Sequence, residues 1–111
     1  MSARIKRYWP LLKALFEGNA QQRRAILQSA SPELINTICE IALNVLRGNI
    51  PLTDTQLKKL RKQRSGIKLL ANKKNSIKKK KKVINQKGGF LLPLLSVAIP
   101  FLTSLITSRS G

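Results

Sequence analysis

Residues 90–107 read "FLLPLLSVAIPFLTSLIT", without a charged side chain. Such a stretch leaves water for a protein core or for lipid. As one helix it would be about 27 Å long at 1.5 Å per residue, near the lower limit for spanning a bilayer. Pro93 falls in the first turn, where proline is cheap. Pro100 falls mid-segment, where a kink is expected. Ser96, Thr103, Ser104 and Thr107 dilute the hydrophobicity. A plain transmembrane anchor is therefore disfavoured. The expectation is a kinked, membrane-active helix, or a hydrophobic tail masked by another protein. Its candidate membrane-facing residues are Phe90, Leu91, Leu92, Pro93, Leu94, Leu95, Val97, Ile99, Pro100, Phe101, Leu102, Leu105 and Ile106.

What precedes this tail is its opposite. Residues 57–87 carry 14 Lys or Arg and no Asp or Glu, whereas residues 1–56 carry 7 basic and 4 acidic residues. The net charge of +18 is thus concentrated in one block, which repels itself unless a polyanion neutralises it. Nucleic acid and anionic membrane are the two expected partners. A solvated basic helix or a nuclear-localisation signal is the plainer reading. The candidate phosphate contacts are Lys58, Lys59, Arg61, Lys62, Arg64, Lys68, Lys73 and Lys74, then Lys78, Lys79, Lys80, Lys81, Lys82 and Lys87. No aromatic residue is interleaved with them, so backbone contacts are expected rather than base reading.

The expected fold is all-α: a small bundle of about four short helices over residues 4–72. Pro10 suits a helix start and Gly18 its stop. Asn19 with Gln22, and Thr53 with Gln56, read as capping boxes, and Ser31 followed by Pro32 reads as another N-terminus. Leu34, Ile35, Ile38, Ala42, Val45 and Leu46 form one stripe, ended by Gly48. Leu52 and Leu57 are placed as a hydrophobic staple. The helix starting near Asp54 is expected to run to about residue 72 and to fray in the lysine run. Tyr8 and Trp9 are expected to cover the core. The regions are then a helical part (1–56), a basic helix and lysine run (57–87), a Gly-Gly step (88–89) and a hydrophobic tail (90–111).

Little supports catalysis. Glu33 and Glu40 share a helical face, but such a pair needs a cleft and shifted pKa values to act as acid and base. Cys39 is the single cysteine and histidine is absent. No intrachain disulfide, metal site or cofactor is expected, and Cys39 reads as a buried, inert thiol. The absence of a visible signal peptide points to a reducing compartment.

The basic block followed by "QKGGFLLPLLSVAIPFLTSLI" resembles the C-terminal half of the adenovirus precursor of the small core protein, the mu peptide. In that family an Arg-rich DNA-condensing peptide precedes a Gly-Gly site, and the viral protease removes a Pro-containing apolar tail. The resemblance covers about residues 73–107 and implies cleavage at Gly88–Gly89, after Gly89. Lysine replaces most of the arginine, Gln86 stands where those sites favour an aliphatic residue, and the N-terminal helices have no counterpart. The whole pattern, including "RGNIPLT", is similar to small proteins of adenovirus-like mobile elements of the adintovirus or Polinton group. The resemblance implies a virion core protein precursor that condenses double-stranded DNA non-specifically. It also implies a place in the virion and in the host nucleus during assembly, with a viral capsid protein and a viral protease as partners. The alternative is a membrane-lytic or membrane-anchored viral protein whose basic block binds anionic lipid.

Overall fold

Short polar caps punctuate this chain, and each starts or stops a helix in the computed structural model, which describes residues 3–86, 89 and 91–107. Eight α-helices and no strand lie among those residues. They are α1 (Ala3–Arg7), α2 (Trp9–Glu17), α3 (Ala20–Gln28), α4 (Pro32–Leu46), α5 (Asp54–Arg61), α6 (Arg64–Ala71), α7 (Ile77–Gln86) and α8 (Leu91–Thr107).

The caps work as their chemistry requires. Asn19 and Gln22 form a reciprocal capping box at α3, as do Thr53 and Gln56 at α5. Ser31 accepts the Leu34 N–H at the start of α4. Gly18 ends α2 because its backbone passes so close to the Ala14 carbonyl that a Cβ would stand 2.6 Å from that oxygen. Gly48 ends α4 at φ +75°, a left-handed conformation that only glycine adopts without strain.

The all-α class holds, but eight helices replace the expected four in the bundle plus a frayed run and a tail. One reason is a break at Lys62–Gln63, where a single helix to about residue 72 was expected. The residues between Leu60 and Ile67 are polar or glycine, so nothing apolar holds that turn. Breaking there lets α5 dock on α8 while α6 packs along α4. A second reason is that the lysine run does not fray. Ile77 and Ile84 sit seven residues apart on one helical face, and Ile84 is buried. They seat α7 against α3, α4 and α6.

The apolar stretch is the third departure. Leu91, Leu94, Leu95 and Ala98 on α8 are fully buried, and Val97, Ile99 and Leu102 are nearly so. They join one continuous core with Leu12 and Leu15 of α2 and Ile35, Ile38 and Ile41 of α4. The helix packs against α2, α4 and α5, so much of its apolar surface lies against the chain's own core. Pro93 and Phe101 are half-buried, whereas Leu92, Pro100 and Leu105 are exposed. Phe90 and the side chain of Ile106 lie outside the described residues. No helix among the described residues is long and apolar enough to cross a membrane.

Tyr8 and Trp9 pack partly buried against this core, and the Tyr8 hydroxyl donates to Glu33 Oε2 at 2.9 Å. Leu46, expected on the inner stripe, is 43% exposed, at a surface pocket that it lines with Leu52, Leu57 and Leu60. The radius of gyration is 13.2 Å, close to the roughly 13 Å of a globular chain of this size.

Candidate nucleic-acid interface

Three helices and two connections carry the basic block. α5 begins with Asp54 and ends with Lys58, Lys59 and Arg61, the polarity that its dipole favours. Lys62 occupies the α5–α6 break. Arg64 and Lys68 lie on α6, Lys73 and Lys74 on the connection to α7, and Lys78, Lys79 and Lys82 on α7. All 11 of these side chains are exposed.

The carboxylates do not offset this charge. Glu40 pairs with Arg4 at 3.9 Å, Glu33 with Arg7 at 3.6 Å and Glu17 with Lys13 at 4.0 Å. Each partner belongs to α1 or α2. Among the described residues, no basic side chain of the block has a carboxylate within 4.0 Å. Glu33 and Glu40, which share a face of α4, thus clamp α1 onto it.

Comparison with protein-family models, with curated proteins and with solved structures gives no match to this chain. What the surface can do is therefore read from its own residues.

Two lysines of the run do not belong to that surface. Lys80 is only 5% exposed, so it is not placed to meet a solvent-borne phosphate on the open face. Lys81 is half-buried, and its Nζ donates to the Ala30 carbonyl at 3.0 Å. Both fall between Ile77 and Ile84 on the inner face of α7, which is why the fold draws them in. Asn85, on the same side, donates to the Lys81 and Leu27 carbonyls. Lys87 and Gly88 lie outside the described residues, and Gly89 is exposed.

Lys80 meets a second buried group, Cys39 of α4. Burial pushes the Cys39 thiol above its ordinary value, and the charge and hydrogen bond of Lys80 pull it partly back. The thiol is thus held protonated at neutral pH. The remaining 11 cations repel one another. Like charges three or four residues apart on a helix, such as Lys78 and Lys82, cost about 0.2–0.5 kcal/mol per pair. A polyanion laid across α5–α7 removes that cost.

Proposed function

We propose that this chain is a non-enzymatic nucleic-acid-binding protein that neutralises and condenses double-stranded DNA through the exposed cations of α5, α6 and α7. The observation that carries this reading is the set of 11 exposed Lys and Arg side chains without a carboxylate partner among the described residues. Flexible lysines outnumber arginines in the block. Lysine acts as a point charge on phosphate rather than as a planar fork on a base edge. Binding is therefore independent of sequence. The resemblance to adenovirus core-protein precursors supports a place in a virion of an adintovirus or Polinton-type element, loaded with its DNA in the host nucleus. A capsid protein and a protease of that element would be its partners.

The test is duplex binding as a function of salt. With about 6–10 phosphates neutralised, affinity falls on the order of 10³–10⁵-fold between about 50 and 200 mM salt. Replacing Lys58, Lys59 and Arg61 with Gln lowers the slope by roughly 0.9 for each phosphate left without its cation and weakens unrelated duplexes equally. Affinity that ignores salt, or that differs strongly between duplexes, refutes the reading. Lipid contact by α8 would first require the helix to leave the core, exposing Leu91, Leu94 and Leu95 together. The buried apolar face thus favours the DNA reading over the membrane one.

A further inference from the structure

Beside the exposed basic surface, with which it shares Lys73, Lys80 opens onto a cleft of about 260 Å³ between α1, α4 and the α6–α7 region. Its polar lining is Arg4, Asn36, Cys39, Glu40, Lys73 and Lys80. Three cations face one carboxylate, and Glu40 is already shared with Arg4 at 3.9 Å. A lysine that is 5% exposed with no carboxylate within 4.0 Å among the described residues is costly to desolvate. The neutral Cys39 thiol beside it does not offset a full charge. An oxyanion would, and only there does it meet Lys80, Lys73 and Arg4 together. Asn36 adds an amide donor, and the cleft has room for a tetrahedral anion.

We propose that this cleft is a phosphate-binding site in which Lys80, Lys73 and Arg4 hold the oxyanion. A DNA backbone phosphate and free inorganic phosphate offer the same chemistry. The site does not require the DNA reading, because free phosphate satisfies the same residues.

The experiment uses the full chain with inorganic phosphate as the probe, against chloride at equal ionic strength. One readout is the melting temperature. The other is the reaction rate of Cys39 with a thiol reagent, which reports on this cleft alone because the chain has one cysteine. Phosphate should raise the melting temperature saturably beyond chloride and slow any Cys39 reaction. Lys73→Ala, at an exposed position, and Lys80→Met should each weaken the phosphate response about tenfold or more, the size of one charge-assisted hydrogen bond. Arg24→Gln, at an exposed position of α3 outside both the cleft and the basic block, should keep the response in full. If a short duplex also slows Cys39, the oxyanion is a backbone phosphate; if phosphate does so and the duplex does not, it is free phosphate. A response equal to that of chloride, or unchanged in Lys73→Ala, overturns the proposal. Salt-dependent duplex binding through α5–α7 would be measured separately and would survive that outcome.

Discussion

Lys81 Nζ donates to the Ala30 carbonyl oxygen at 3.0 Å, across 51 positions of sequence. Ala30 lies just beyond α3, so a cation from the lysine run closes the negative end of another helix. Lys81→Met should cost about 1–2 kcal/mol, as expected for a partly buried hydrogen bond to a charged group. Lys79→Met, at an exposed position two residues away, should stay within about 0.5 kcal/mol. Urea denaturation of the two variants checks the contrast, and equal costs would remove Lys81 from the scaffold.

The central place of α8 makes its leucines unequal. Leu94 is fully buried and Leu92 is 37% exposed. Leu94→Ala should destabilise by about 2–5 kcal/mol, the range for deleting a core leucine side chain. Leu92→Ala should cost less than about 1 kcal/mol. Thermal melts of the pair would show whether the apolar stretch is held by the protein itself.

Cys39 links stability to alkaline pH. Its thiol is raised above 9.0 in the folded chain, mainly by burial. The folded state therefore keeps a proton that the unfolded chain gives up. The resulting stability is fully present below 9.0 and is lost as pH rises through the higher folded value. Lys80, which faces the thiol, and Glu40, Arg4 and Lys73 nearby are the other charged groups in that cleft. Unfolding free energies of wild type and Cys39→Ala should converge as pH is raised past 9.0. Parallel curves would mean that the thiol does not titrate differently on folding.

The Gly-Gly step gives a fourth test. Gly89 is exposed and has open space around it, which suits entry into a protease groove. The helix beyond it is buried against α2, α4 and α5. A chain cut after Gly89 should retain the following piece without a covalent link, held by the core leucines. Size-exclusion chromatography followed by mass spectrometry would find both pieces in one peak. Spontaneous separation of the two under native conditions would contradict this. Replacing Gly88 and Gly89 with Val should block the cut and leave DNA affinity unchanged.

The local punctuation was readable in advance. Asn19, Ser31 and Thr53 cap because their side-chain oxygens lie within reach of N–H groups three residues ahead, a property of short sequence. Gly18 and Gly48 stop helices for reasons equally local. The role of α8 was not readable in that way. An uncharged stretch that is apolar on nearly all sides satisfies a bundle core and a bilayer equally, and periodicity does not separate them. Lys80 and Lys81 were hidden by their neighbours, since five lysines in succession read as a solvated block. The signal was present in Ile77 and Ile84, whose spacing places positions 80 and 81 on the inward face. The break at Lys62–Gln63 depends on α4 and α8 offering separate docking surfaces, which no window around residue 62 contains.

Because α8 supplies buried leucines to helices that precede it, the order of synthesis matters. The ribosome releases α1 to α7 before α8 has emerged, and until then Leu12, Leu15, Ile35 and Ile38 lack the packing partners that it brings. During that interval the nascent chain displays its basic segment on a framework that has not yet closed. A polyanion met so early, ribosomal RNA included, would compete with folding, so the emergence of α8 acts as a timer for when the positive face becomes a rigid one.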